Sequence, residues 1–167
     1  MTILKTKRLT LWEYCDPDDL RTMVKWLNDP DVVRYSEQRY LKHNVKFQEI
    51  YIRMIQPPNK FKQIFTKDKF IGTITARVDE NNSVANVGIL IGEKSEWGKG
   101  YGTEAWVALC DHLLNNGIRK IEAGCMNTNF GMIHIFRKYH MFLEGVREQH
   151  FLCDNQLVGM SLWGKFA

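Results

Sequence analysis

Ile89-Leu90-Ile91-Gly92-Glu93-Lys94-Ser95-Glu96-Trp97-Gly98-Lys99-Gly100-Tyr101-Gly102-Thr103-Glu104-Ala105 decides how the rest of the chain is read. It opens as an apolar run of strand type, closes on the start of a helical pattern, and between the two places glycines at alternate positions, Gly98, Gly100 and Gly102. Positions without a Cβ let backbone N–H groups converge on an anion, and the N-terminus of the following helix adds positive potential. Such a corner cradles a pyrophosphate, with Lys99 adding a full charge and Thr103 a hydroxyl donor. Taken alone, G-x-G-x-G also describes a tight structural turn. Two other phosphate loops do not fit. The nucleoside-triphosphate loop needs G-x-x-x-x-G-K-[ST], and Lys99 stands before the last glycine instead of after it. The dinucleotide loop needs G-x-G-x-x-G in an early βαβ unit with an acidic residue about 20 positions later.

Upstream of this corner, Leu9 to Trp12 reads as a first strand, and Asp16-Pro17 as an N-cap with proline in the first helical position. Leu20, Met23, Val24 and Leu27 share one face of the helix that follows, and Asn28-Asp29-Pro30 breaks it. Arg34 to Arg39 is polar and aromatic without a period. Asn44 caps a second helix carrying Val45, Phe47, Ile50, Ile52, Met54 and Ile55, which Pro57-Pro58 stops. Phe61 to Thr66, Phe70 to Val78 and Val84 to Ile91 form an antiparallel meander with turns at Lys67-Asp68-Lys69 and Asp79 to Asn82.

Downstream, Trp106, Leu109, Cys110, Leu113 and Leu114 make an apolar helical stripe that ends at Asn116-Gly117. A strand at Ile121 to Met126, a helix from Asn129 to about His140, and strands near Phe142 to Leu152 and Leu157 to Trp163 complete the chain, the last two joined at Cys153 to Gln156. The expected architecture is α+β: a central, mostly antiparallel twisted sheet of about seven strands flanked by about four helices, in one domain over residues 1–167.

Composition agrees with an ordinary domain and excludes several classes. With 44% hydrophobic and 25% charged residues among 167, the chain is neither disordered nor fibrous. No stretch approaches the about 20 apolar residues of a membrane span, and no leader pattern precedes Thr10, so a cytoplasmic protein is expected. The net charge of +4 suits an anionic ligand and is far below that of nucleic-acid-binding arms. Cys15, Cys110, Cys125 and Cys153 lie far apart, without metal-ligand spacing, and read as buried free thiols. Cys125 has no base beside it in sequence that would make it a nucleophile.

Trp97-Gly98-Lys99-Gly100-Tyr101-Gly102 resembles the phosphate motif [QR]-x-x-G-x-[GA] of the GNAT superfamily of acyl-CoA-dependent N-acetyltransferases, with Trp97 in place of the usual Gln or Arg. That replacement is common in the branch holding ribosomal-protein N-terminal and amino-sugar acetyltransferases. Asn129 to Met141 resembles the family's N-x-x-A-x-x-L-Y-E-K-x-G-F. The resemblance implies acetyl-CoA as cosubstrate and no metal. It implies that Leu90, Ile91 and Gly92 carry a bulge splaying their strand from its neighbour, with N–H groups for the pantetheine and the oxyanion. It further implies that Asn129 binds the pantetheine arm, that Phe136 stands in the cofactor-side helix, and that Lys138 lies near the phosphates.

In the family a primary amine attacks the thioester and coenzyme A leaves as thiolate. Acid and base are where this sequence departs from the pattern. Phe136 holds the position of a frequent tyrosine acid and cannot protonate a thiolate, while Tyr139 reads as core. Asn86 holds the position of a frequent glutamate base and can order a water but not take its proton. The resemblance places Arg34 to Arg39 on the acceptor side. Glu37 is therefore the candidate base, with Glu13 and Glu148 as rivals, and Tyr35 and Arg39 are candidates to position the acceptor. His134 is expected on the exposed face of its helix. The expected reaction is acetyl transfer to a primary amine, most simply on a nucleotide-linked amino sugar. A protein N-terminus and a non-catalytic CoA-binding module are the alternatives. Neither nucleic acid nor membrane is an expected partner, and a homodimer stays open.

Overall fold

The computed structural model describes residues 2–13, 16–67 and 69–167. Cys15 and Asp68, named above, lie outside them. The strands are β1 (Leu4–Lys5), β2 (Thr10–Trp12), β3 (Lys60–Phe65), β4 (Phe70–Asp79), β5 (Val84–Ile91), β6 (Lys120–Met126), β7 (Phe142–Cys153) and β8 (Gln156–Phe166). The helices are α1 (Pro17–Leu27), α2 (Pro30–Val33), α3 (Val45–Met54), α4 (Tyr101–Asn115) and α5 (Phe130–Lys138), with 3-10 turns at Glu37–Tyr40 and Lys94–Glu96.

Local chemistry explains most of these boundaries. The Asp16 carboxylate accepts the N–H groups of Asp18 and Asp19 at 2.8 Å, and Asn44 and Asn129 cap α3 and α5 through Phe47 and Met132. The expected α+β architecture is present, with one strand and one helix beyond the approximate counts. Among the described residues the sheet has eight strands, because β1 is a two-residue pair with β2 too short to show a period. The helices among the described residues number five, because Asp29 caps the single turn α2 at Pro30 instead of only ending α1.

The sheet runs β1-β2-β3-β4-β5-β6-β8-β7, and among the described residues its only parallel contact is β5 with β6, crossed over by α4. That contact is confined to Val84–Asn86 against Lys120–Glu122, so Val87 to Ile91 have no strand beside them there among the described residues. The splay is present, and the irregularity falls at Gly92, the last of the three expected positions, and runs on to Glu93. The β4–β5 ladder keeps its register from Asp79↔Val84 to Gly72↔Ile91, and only then do the N–H groups of Gly92 and Glu93 both donate to the Ile71 carbonyl, at 2.9 and 3.1 Å. Because Gly92 faces β4, alternation turns the backbone groups of Leu90 to β4 and those of Ile89 and Ile91 into the gap.

The main core lies between the sheet and α4 with α5, around Trp106, Leu109, Phe136 and Trp163. A second cluster, with Leu20, Met23, Trp26 and Phe70, holds α1 and α2 on the opposite face. There Gly92 is required: a Cβ would fall 2.0 Å from the Trp26 ring, so only glycine lets α1 sit against the end of β5. Val24, read as part of the buried face of α1, is half-buried, whereas Trp26 is buried. Cys110, Cys125 and Cys153 are free and buried, and burial raises the Cys125 thiol above its ordinary range. No helix among the described residues is long and apolar enough to cross a membrane.

Candidate active site

The corner after β5 has the predicted form. Gly98 and Gly100 hold φ of +75° and +82°, the left-handed region that favours glycine, and Gly100 is the N-cap of α4. No side chain caps α4, which leaves the N–H groups of its first turn for another acceptor. Gly102 has a second use, since a Cβ there would stand 3.2 Å from Ile135 Cδ1 where α5 packs. Between the N-termini of α4 and α5 opens a cavity of about 620 Å³. Its wall includes Leu90, Ile91, Trp97, Gly98, Gly100, Tyr101, Gly102, Thr103 and Asn129 from the expected set, together with Tyr35.

Two side chains in this wall have specific jobs. Trp97 Nε1 donates to the Ile91 carbonyl at 2.8 Å, which fixes the indole across the mouth of the splay. The Asn129 carbonyl oxygen is spent on its cap, leaving its amide NH₂ to donate.

Other expected residues are elsewhere. Phe136 is fully buried between Trp106 and Trp163, a core position out of reach of a cofactor. Lys99 is ion-paired to Glu96 at 2.9 Å and is outside the cavity wall, and that hydrogen bond holds its ammonium above the ordinary lysine range. Lys138 is exposed at the end of α5, outside the same wall. Gly92 packs on Trp26. Asn86 sits four residues before Leu90, about 13 Å away along the strand, and its amide donates to Glu122 at 3.4 Å. Glu37 is exposed and lines none of the three cavities described here. Glu13 is bonded to Lys62, and Glu148 is exposed on β7. His134 is exposed, as expected, and reaches the rim of the cofactor-side cavity. Tyr139 is core, with its hydroxyl donating to Asp111 at 2.7 Å.

A second cavity, about 660 Å³, lies on the α1 and α3 side and meets the first at Ser36, Ile89 and Leu90. Its wall is held by polar clamps. Asn28 donates to the His43 carbonyl and accepts the His43 N–H, both at 2.9 Å. His43 Nε2 lies 3.1 Å from the Gln38 carbonyl, which can only accept, so Nε2 carries the proton and Nδ1 accepts from the Gln48 amide at 2.8 Å. Both ring nitrogens are occupied, which makes His43 a strut and not a base. Arg39 lines a third cavity of about 780 Å³ beside the β7–β8 hairpin, where it donates to the Ser36 carbonyl at 2.9 Å.

Sequence reading missed Ser36, at the junction of two cavities, and Arg8. The Arg8 guanidinium bonds Glu104 at 2.6 Å and the Lys99 carbonyl at 3.0 Å, and stacks 4.5 Å over the Tyr101 ring. Burial favours the neutral Glu104 carboxyl, but hydrogen bonds from Thr6 and Arg8 overcome it and hold the group below the ordinary range. Thr6 and Arg8 thus tie the segment between β1 and β2 to the glycine corner. Only Arg8 opposite Glu104 hints at this in sequence, and 96 residues separate the pair.

Residues 8–141 match the family model for an acetyltransferase (GNAT) domain. The chain belongs to the GNAT acetyltransferases. As a member it is an acetyl-CoA-dependent acetyltransferase with the mixed α+β GNAT fold. Solved structures agree on that fold. The ribosomal-protein alpha-N-acetyltransferase RimL, bound to coenzyme A, superposes with a TM-score of 0.86 at 16% identity over 99% of this chain and 98% of its own. A spermidine N-acetyltransferase from Vibrio cholerae, with coenzyme A and spermine, gives 0.84 at 17% identity over 96% of each chain. The microcin self-immunity acetyltransferase MccE, with acetyl-CoA and AMP, gives 0.83 at 17% identity over 97% of this chain and 94% of its own. No curated protein sequence matches this GNAT chain.

Proposed function

We propose that residues 1–167 act as one catalytic domain that transfers the acetyl group directly from acetyl-CoA to a primary amine while both are bound. The observation that carries this reading is the pair of cavities meeting at Ser36, Ile89 and Leu90, beside backbone groups freed by the splay. Diphosphate on the Gly98–Thr103 corner, pantetheine along Ile89 and Ile91 and beside the Asn129 amide, and the thioester at the junction form one continuous path. The amine nitrogen forms its bond to the carbonyl carbon, the C–S bond breaks, the ammonium proton leaves to water and the thiolate takes one up. Aligning two bound reactants supplies on the order of 7 to 11 kcal/mol of the barrier. The Ile89 and Ile91 N–H groups face the developing oxyanion. Ser36 Oγ accepts the Gln38 N–H at 3.2 Å and keeps its own proton to donate at the junction. The finer acceptor we favour is a nucleotide-linked amino sugar, supported by the aromatic wall Phe47, Tyr51 and Phe61. The neighbour MccE, solved in complex with acetyl-CoA and AMP, is consistent with a nucleotide-bearing acceptor.

Free-thiol release from acetyl-CoA, with and without amines, tests the reaction. Amine-dependent release supports the enzyme, and coenzyme A binding without release across the panel favours a non-catalytic module. In the same assay Glu37→Gln is expected to leave the rate and its pH profile unchanged, because the carboxylate lies outside the cavities. A profile displaced in the variant would restore Glu37 as base. Arg8→Met is expected to weaken coenzyme A about tenfold, since a charge-assisted bond to the loop is lost and Glu104 stands unneutralised beside the phosphates. Calorimetric titration measures it, and unchanged affinity would remove Arg8 from the loop's support.

A further inference from the structure

We propose that the acceptor is a single-amine compound bearing an anionic group on a flat apolar body, and that Lys42 is the residue that selects for the anion. This rests on the acetyl-transfer reading above. The acceptor-side cavity contains Lys42 and no carboxylate among its described lining residues. Lys42, Leu27, Leu41 and His43 are shared with the cavity beside the β7–β8 hairpin, which adds Arg34 and Arg39. The one carboxylate there, Asp154, lies 2.7 Å from Arg34 and is committed to it. On the cofactor side, Asp31 is 3.0 Å from Lys94 and Glu96 is 2.9 Å from Lys99. Every carboxylate lining the three cavities is therefore ion-paired, while Lys42 has no ion pair among the described residues. A ligand with several ammonium groups would meet like charge and no unspent counter-charge. An anion meets Lys42 first, with Arg39, which bonds only neutral acceptors, behind it, while the charge of Arg34 is taken by Asp154. Phe47, Tyr51 and Phe61 give the body of the acceptor flat apolar contact, and Gln38, Thr73 and Thr75 can hydrogen-bond its polar edge. The fold is shared with a spermidine acetyltransferase, but the charge around this cavity is opposite to what a polyamine requires.

Matched acceptors test it: tyramine against O-phosphotyramine, a free amino sugar against the same sugar linked to uridine diphosphate, and spermidine as the polycation. The kcat/KM of the phosphorylated member is expected to exceed that of its neutral partner at least tenfold and to fall with added salt. Spermidine should be the poorest acceptor. Lys42→Glu should erase the phosphate preference while leaving coenzyme A affinity, read by calorimetry, unchanged. A preference for spermidine, or a phosphate preference indifferent to Lys42→Glu, overturns the proposal. If no amine releases thiol although coenzyme A binds, the acetyl-transfer reading fails separately. Calorimetric binding of O-phosphotyramine and the sugar nucleotide to the coenzyme A complex then decides the anion site: binding lost in Lys42→Glu supports it, and absent or Lys42-independent binding refutes it.

Discussion

Gly100→Val is expected to reduce coenzyme A affinity by on the order of 100-fold to 10,000-fold, as about two charge-assisted contacts worth about 1.5 to 3 kcal/mol each are lost. The residue caps α4 at φ +82°, and a β-branched side chain resists that conformation. Releasing the strain rotates the peptide N–H groups proposed to hold the diphosphate, and the isopropyl group enters the space that the proposed phosphate position needs. The fold should persist. A Cβ at this position meets only Arg8 Nη2 at 3.5 Å, ordinary contact at the surface, so the melting temperature should drop by only a few degrees, roughly 2 to 4 °C per kcal/mol of strain. Equilibrium titration with coenzyme A beside a thermal melt reads both quantities. Undiminished affinity in a folded variant would show that the corner does not hold the phosphates, and the assignment of every cofactor contact would go with it.

Glu13→Gln is expected to cost about 3 to 5 kcal/mol of stability, because it leaves a buried ammonium without its counter-ion. The Lys62 side chain on β3 is 1% exposed, and its Nζ donates to Glu13 Oε1 at 2.8 Å and to the Thr2 carbonyl. Lys62→Met should cost less, since the stranded carboxylate is 26% exposed and can recruit water. Burial works to raise the Glu13 pKa, but the hydrogen bond and charge of Lys62 prevail and hold it below the ordinary carboxylate range. A depressed folded-state value means that this stabilisation is complete above the ordinary carboxylate range and is lost as pH falls through the lowered value. Urea denaturation at pH 7 should therefore separate wild type from Glu13→Gln widely, and the gap should close as the pH falls below the ordinary carboxylate range. A gap that stays constant with pH would show that the pair contributes nothing through its charge.

The local code was legible because its causes are local. Asp16-Pro17, Asn44 and Asn129 announce helix starts since each side chain reaches an N–H two or three residues on. The alternating glycines announce the corner since positive φ there is cheapest for glycine. Each feature lies within one turn of chain, so neither the glycine corner nor the α+β order needed knowledge of packing.

The chemistry around that corner was decided at longer range. Lys99 reads as a phosphate ligand until Glu96, presented by a 3-10 turn, takes its charge. Phe136 reads as a cofactor residue until α5 is laid on the sheet and its ring falls between two tryptophans. Arg8 and Ser36 carry no motif, and they acquire roles only when the first strands reach α4 and when two cavities meet over β5. By itself the sequence determined that a glycine-rich strand-to-helix corner exists in an acetyltransferase fold. Only the tertiary structure decided which charges remain available around it, because an ion pair forms between side chains brought within about 4 Å in space, whatever their separation along the chain.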